Sequence, residues 1–401
     1  MKPRALGERA LLVLLAAITA TGPVALNIYV PVVPLARAAL GVSVAAASTT
    51  VTAPLVAFAL GLFVYGPLSD RYGRRPVILA GLAIFIAGCA LALLAPTVGL
   101  LTLGRIVIAL GTSAGVTVAR AVMGDLYTRD RMAHRLATLT MVMVTANSLA
   151  PAAGGALGEA FGWRAVFAVL LGAGLPLTLL AWRYLPETRG AAGVRSVRQV
   201  AGATLALVRA PAFVGYAFQS AVIYAVFFVF VALVPYVFQS LGRGATEYGL
   251  WYISLSGGYF LGNWVVSRYT FRIGMQRLMN AGIALQAGAA AAGWALALAG
   301  LWHPFWLFAP WAVIGFAQGL ALPNLTASAV ALAPAYAGAA SGLLGFSQQM
   351  LGAIAVQAMA LTSTATPRPV TAFVALTALV ALVVHRVSLA RGPQTTGSAS
   401  G

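Results

Sequence analysis

The chain has 401 residues, 61% of them hydrophobic and only 8% charged, against about 25% charged in an ordinary soluble domain, which excludes a water-soluble globule. Its net charge of +18 does not mark a nucleic-acid partner, because a nucleic-acid surface clusters its charge on one soluble face and the arginines here are scattered along loops. Cys89 is the single cysteine and lies in an apolar run, which excludes an intrachain disulfide and a cysteine-based metal site.

In lipid only helices and closed barrels satisfy their backbone polar groups, and apolar runs of about 20 residues that do not alternate select helices. Windows between Arg, Pro and Gly punctuation predict twelve spans, the first six near 10–33, 44–67, 76–95, 98–121, 135–157 and 163–182. The second six lie near 212–238, 247–267, 277–299, 305–329, 338–361 and 369–387. The start, with Lys2, Arg4 and Arg9 ahead of an apolar stretch, has the outline of a signal peptide. The stretch is too long for one and serves as the first helix.

Most connections are short, so consecutive helices run antiparallel. The exception is 183–211, which carries five arginines and the turn Leu185, Pro186, Glu187, Thr188. It divides the chain into an N-terminal bundle (1–182), a cytoplasmic linker (183–211), a C-terminal bundle (212–390) and a flexible tail (391–401). Arg195 to Arg209 alternates basic and apolar residues, which suits either a short helix on the inner leaflet or a tether. With a cytoplasmic N-terminus, twenty basic residues fall in inner segments, among them Arg71, Arg74, Arg75, Arg120, Arg183 and Arg268. Only Arg37, Arg164, Arg243 and Arg368 fall outside, and Arg105 lies within a span. That bias places both termini in the cytoplasm. A weak internal repeat supports two halves: Ser267, Arg268, Tyr269 and Arg272 echo Asp70, Arg71, Tyr72 and Arg75, Pro235 echoes Pro31, and Gly352 echoes Gly155. Parallel repeats of this kind build six-plus-six transporters whose substrate site lies between the halves near midplane. The fold class expected is therefore an all-α membrane protein of two pseudo-symmetric six-helix bundles.

The sharpest local signal is the run from Gly66 to Arg75, Gly-Pro-Leu-Ser-Asp-Arg-Tyr-Gly-Arg-Arg, at the inner end of the second span. Gly66 permits close helix approach, Asp70 can accept hydrogen bonds from a neighbouring helix N-terminus, and the arginines hold the inner surface. The run resembles the signature loop of the major facilitator superfamily. Further matches are Asn27 to Pro34 in the first span, Arg105 with Gly111 in the fourth, and Ala150, Pro151, Gly154 and Gly155 in the fifth. Leu322, Pro323 and Asn324, with Gly338 to Gly342, complete a pattern similar to the bicyclomycin and chloramphenicol resistance branch of the twelve-span drug antiporters.

That resemblance implies efflux of a small hydrophobic or amphipathic compound, drug or metabolite, across a bacterial inner membrane by alternating access, with a proton as coupling ion. It also implies a conformational latch of Gly66, Asp70, Arg71, Gly73 and Arg74 with Asp125; the alternative is that these charges only fix topology. Ser267 stands where the second half would carry an aspartate, so a latch there is weaker. Pro151, Gly154 and Gly155 let the fifth helix bend and pack tightly, although small-residue spacing also serves packing alone. No cofactor, metal or enzymatic activity is expected, since zinc spacing, nucleophile elbow, phosphate-binding glycine loop and paired carboxylates are all missing. The partners expected are a small molecule, a coupling proton and the bilayer, with no nucleic acid, and the chain is expected to be a monomer.

An intramembrane arginine is costly unless paired or facing a wet cavity, so Arg105 marks either the site or a buried structural bond to Asn and carbonyl oxygens. Asn27 lies at similar depth and is expected to face it across the cavity. Proton-coupled members of the branch usually carry an aspartate where Asn27 stands. The acids Glu8, Asp70, Asp125, Asp130, Glu159, Glu187 and Glu247 all fall at or beyond span boundaries, and His134, His303 and His385 in loops or at helix ends. No titratable group is evident at midplane, which weakens proton coupling and favours the alternative of a proton-independent facilitator or exchanger of a neutral or anionic molecule. The lone Arg105 predicts a preference for neutral or anionic ligands over cations. The cavity residues expected are Asn27, Arg105, Asn147, Tyr216, Gln219, Asn324 and Gln348, from helices that line the cavity in this superfamily. Tyr29, Ser148, Tyr224, Trp251, Tyr252, Tyr259, Asn263, Gln318 and Gln349 are further polar or aromatic side chains that either face the interior or tie helices together.

Overall fold

The computed structural model describes residues 7–126, 129–188, 197–332, 337–362 and 366–390. The tail 391–401, and residues 189–196 of the linker, lie outside them.

Among the described residues every regular element is helical. The N-terminal bundle comprises α1 (Glu8–Asn27), α2 (Val33–Leu40), α3 (Val44–Tyr72), α4 (Arg74–Leu93), α5 (Val98–Leu126), α6 (Arg129–Phe161) and α7 (Ala165–Tyr184). After α8 (Val197–Arg209), the C-terminal bundle comprises α9 (Pro211–Ser240), α10 (Ala245–Ile273), α11 (Met275–Leu298), α12 (Pro304–Ala331), α13 (Ala337–Ala360) and α14 (Pro367–Ala390). The helices α3, α5, α6 and α10 run past the apolar windows at their basic ends.

The first predicted span is not one helix. It stops at Asn27, passes through a single tight turn at Val30–Val32 and restarts as α2, because Pro31 and Pro34 have no N–H to continue the ladder. Among the described residues ten spans are long and apolar enough to cross a bilayer on length and composition alone. The two long helices outside that set, α6 and α10, are more polar and pack against each other across the seam between the bundles. Polar side chains are tolerated there because the seam, not lipid, surrounds them.

The seam closes at the end away from the basic loops. A Cβ at Gly155 of α6 would lie 2.3 Å from the Ala245 carbonyl oxygen of α10, and one at Gly249 of α10 would lie 2.5 Å from the Pro151 oxygen. A Cβ at Gly154 would overlap the Ile28 oxygen at 1.8 Å. These glycines let three backbones touch. The carboxylate of Glu159 accepts from the Thr246 N–H at 3.2 Å and from its hydroxyl. The α3–α13 seam is tied at the same end, where Thr52 donates to Gln357 at 3.1 Å and Gln357 donates to the Ala45 oxygen at 3.2 Å. Toward the basic end the contact between these two helices is apolar, with Phe63 and Phe346 ring centroids 5.4 Å apart.

Candidate functional site

A cavity of about 270 Å³ lies between the two bundles, lined by α1, α3 and α6 from one side and by α9, α10, α12 and α13 from the other. Asn27 and Asn147 form part of its wall together: the Asn27 Nδ2 donates to the Asn147 Oδ1 at 2.8 Å and to the Pro23 oxygen at 3.0 Å. Ser148 continues that wall. Opposite stand Tyr224, Phe227 and Phe228 of α9 and Tyr252 and Tyr259 of α10, with Phe58 of α3 beside them. Their rings interlock, Tyr224 and Phe228 at 5.9 Å and Phe227 and Phe228 at 5.4 Å. Ser256, Gln318 and Gln349 complete the polar part. Gln318 is held by donating to the Ile223 oxygen at 3.2 Å, whereas the Gln349 Oε1 has no hydrogen-bond partner among the described residues. None of the described residues of this wall carries a formal charge. Such a wall suits a flat, largely apolar ligand with a few hydrogen-bonding groups.

Arg105 is not part of this wall and does not face Asn27 across it. Its side chain is 1% exposed, with Nε donating to the Thr50 oxygen at 3.0 Å, Nη1 to the Ala25 oxygen at 2.6 Å and Nη2 to the Leu26 oxygen at 3.3 Å. Its guanidinium also lies 4.5 Å from the centre of the Tyr29 ring. Every one of these acceptors has a reason to be free. Ala25 and Leu26 lie in the last turn of α1, whose carbonyls have no helical donors, and Thr50 sits four residues before Pro54, which has no N–H to give. The structural alternative for Arg105 is therefore the one the geometry supports, and the ligand-charge preference drawn from it loses its basis.

Four further expected wall residues lie elsewhere. Gln219 is buried inside the C-terminal bundle, its Oε1 3.4 Å from the His385 Nδ1, while the His385 Nε2 meets the Asn280 Oδ1 at 2.6 Å. Asn324 is buried and donates back to the Leu320 oxygen within α12 at 2.8 Å. Tyr216 packs against the apolar clusters around Phe213 and Ile223, and Gln348 is off the wall that its neighbour Gln349 joins. The apolar members Phe58, Phe227, Phe228, Leu255 and Leu322 were outside the polar and aromatic set read from the sequence; no signal distinguished them from ordinary core.

The loop between α3 and α4 does assemble. Arg74 pairs with Asp70 and, through Nε at 2.9 Å, with the Asp125 Oδ2; it also donates to the Ser69 hydroxyl at 2.7 Å. The helix N-terminus is capped not by Asp70 but by Glu187 from the linker, which accepts from the Arg74 and Arg75 N–H groups at 2.9 and 3.2 Å. A carboxylate at that end complements the orphan donors and the helix dipole. Thr188 donates to Asp125 at 3.1 Å, so the linker is tied into the same cluster. Gly73 adopts φ +102, and a Cβ there would meet the Glu187 Oε2 at 2.5 Å. Arg71 stacks on Tyr72 at 5.3 Å. Gly66 is not a point of close approach, since a Cβ there would find only the Thr117 methyl at 4.0 Å. In the fifth span, α6 runs through Pro151 as one helix, and Gly154 and Gly155 serve the backbone contacts of the seam.

Two six-helix bundles joined by a linker around a central cavity define a transporter fold, and comparison with known proteins agrees. Residues 13–357 match the model of the Major Facilitator Superfamily, and the chain belongs to that family. It is 27% identical over 342 residues to a bicyclomycin resistance protein homolog of Haemophilus influenzae, covering 83% of this chain and 84% of that one. It is 34% identical over 181 residues to multidrug resistance protein D of Escherichia coli, where the match covers 45% of each chain. It is 36% identical over 179 residues to a chloramphenicol resistance protein of Pseudomonas aeruginosa, covering 44% of this chain and 41% of that one. In these last two relatives the chain thus spans less than half of their length. The relatives agree with the bicyclomycin and chloramphenicol resistance branch. Among solved structures, a bacterial homolog of the human lysosomal transporter Spinster superimposes with a TM-score of 0.77 at 16% identity, over 95% of this chain and 97% of that one. A peptide transporter superimposes with a TM-score of 0.75 at 17% identity, over 98% and 96%. These two likenesses speak for the fold.

Proposed function

We propose that this protein exports a small hydrophobic or amphipathic compound from the cytoplasm of a bacterium, both termini being cytoplasmic, by rocking its two bundles about the central cavity. The observation that carries the reading is the wall itself: aromatic rings from α3, α9 and α10 facing paired asparagines, with no formal charge, in a chain whose relatives are named for drug resistance. Backbone contacts close the seam at the end away from the basic loops, whereas toward the basic end α3 and α13 meet only through apolar side chains, and entry is assigned to that end. Expression in an efflux-deficient bacterium, with accumulation measured over a panel of neutral, anionic and cationic compounds, tests it. Lower accumulation of at least one apolar compound, reversed by Tyr252→Ala or Gln318→Ala, is expected; unchanged accumulation of the whole panel by protein that has reached the membrane refutes export.

A second reading, transport without a proton, is favoured by a specific observation. Asn27 occupies the place of the branch's usual aspartate and is engaged with another amide, and the described residues of the cavity wall include no carboxylate or histidine. Uptake into vesicles under an imposed pH gradient separates the two: a rate that follows the gradient supports antiport, and one indifferent to it supports the facilitator.

A further inference from the structure

We infer that Arg120 is an anion-recognition point in the mouth of the central cavity, and that the ligand this transporter accepts includes amphipathic aromatic anions whose apolar body enters the uncharged cavity while the carboxylate or sulfonate stays on Arg120. The inference rests on the proposed reading of the cavity as a ligand site and adds the class of ligand.

The charge count of the sequence assigns Arg120 to an inner loop, but it stands inside α5, more than one turn before the helix ends at Leu126. Its neighbours Val118, Ala119, Val122 and Met123 are buried, yet Arg120 itself is exposed. The exposure is not toward lipid. Arg120 lies one turn from Val116, which together with the cavity residue Phe58 flanks Gly22 of α1. The same α5 face thus looks between α1 and α3 toward the centre of the molecule. From the other bundle, the phenol of the cavity residue Tyr224 lies within electrostatic reach of the Arg120 guanidinium. Arg120 therefore faces the space between the two bundles, at the basic side of the aromatic wall.

Unlike Arg105 and Arg74, Arg120 has neither a carboxylate nor a hydrogen-bond partner among the described residues. A guanidinium keeps five donors in a planar fork and is always charged. Within low-dielectric walls, its field concentrates anions and disfavours cations. The division of labour is then spatial: rings and amides hold the body of the ligand, and one fixed cation holds its acidic end by a charge-assisted, bidentate contact.

The test uses purified full-length protein in nanodiscs and two probes that differ only in charge, 2-naphthoate and 2-naphthamide, with binding read from quenching of tryptophan fluorescence. The wild type is expected to prefer the anion by about tenfold, the worth of a partly wet charged hydrogen bond. Arg120→Gln is expected to abolish that preference while leaving naphthamide affinity unchanged, and Arg120→Lys to retain part of it. Equal affinities in the wild type, or an anion preference that survives in Arg120→Gln, overturn the inference and leave the cavity reading intact. Binding of neither probe overturns both. A ligand-free measurement stands beside these: Arg120→Cys should react with a water-soluble maleimide from the basic side, against a low background because Cys89 is buried. Absence of labelling in folded protein refutes the placement of Arg120 in the mouth.

Discussion

Arg105 supplies the hydrogen bond that Pro54 takes away. The carbonyl of Thr50, four residues before Pro54, receives the Arg105 Nε at 3.0 Å, while the other guanidinium nitrogens close the carbonyls at the broken end of α1. One side chain thereby joins α1, α3 and α5 at the depth where α1 ends and the α3 hydrogen-bond ladder lacks a donor.

Arg105→Ala is therefore expected to unfold rather than to respecify. It leaves three carbonyls without donors in a sealed place, a loss of about 3 kcal/mol or more, and Arg105→Lys cannot span the three acceptors with one ammonium. Thermal unfolding in detergent should show a large drop for both, together with low yield. An Arg105→Ala protein of wild-type stability that had lost only transport would return Arg105 to the ligand site.

The glycine contacts of the seam yield a prediction about the cycle. Gly155→Val puts a side chain against the Ala245 oxygen, 2.3 Å from where its Cβ would sit. The clash belongs to the state in which α6 and α10 touch, so an overpacking cost of about 1–3 kcal/mol shifts the conformational equilibrium about 5- to 150-fold away from it. Helical content by circular dichroism should stay unchanged while efflux falls, and a cysteine at Thr246 should gain reactivity from the outer side. Unchanged efflux and unchanged reactivity would show that the contact is dispensable.

How much of this was legible in the sequence depended on whether a residue's role is local. The loop cluster could be read because Asp70 and Arg74 are four residues apart in one short motif, and the span limits because arginine and proline punctuate them. The cavity wall could not, because α9 is apolar and buried almost all round, and a helix without a polar face carries no phase. Gln219 and Gln349 look alike on paper, yet one is turned to His385 and the other to the cavity. The sequence showed that Arg105 needs partners, and Pro31 marked the end of the first helix. What was missing was the geometry that brings the freed carbonyls of α1 and α3 to one point.

The loop cluster should behave as a modest, salt-sensitive fastening of the linker to the N-terminal bundle. Glu187→Ala removes the cap of α4 and is expected to cost about 1 kcal/mol. Asp125→Asn loosens a partly exposed pair, worth about 0.5–1 kcal/mol and less at high salt. Because Asp125 and Glu187 both bind Arg74, the double variant should lose less than the sum. Unfolding midpoints of the four proteins at two salt concentrations measure this. Strict additivity would mean that the cluster is not one unit.

His385 is expected to be a structural histidine. Replacing it with Phe leaves the amides of Asn280 and Gln219 without their partner between α9, α11 and α14, a loss of about 1–3 kcal/mol. Thermal unfolding reads it directly, and transport per folded molecule should be unchanged.

At Asn27 the chain departs from the aspartate usual in its branch. In the wild type the Asn27 Nδ2 donates to the Asn147 Oδ1, and a carboxamide offers a proton to neither side of the membrane. Asn27→Asp replaces a donor with an acceptor facing the Asn147 oxygen, so the contact persists only if Asn147 turns its amide round, or if the new carboxyl holds a proton. Arg105 does not compensate the added charge, since its donors are committed to Thr50, Ala25 and Leu26. The substitution thus installs a proton-binding group on the wall, where any protonation change is coupled to cavity occupancy. Efflux by Asn27→Asp is expected to vary with pH across a range over which the wild type is flat. Measurement in vesicles buffered equally on both sides, then with a gradient imposed, decides it. A wild type that already follows the gradient would place the proton site elsewhere and retire the facilitator reading.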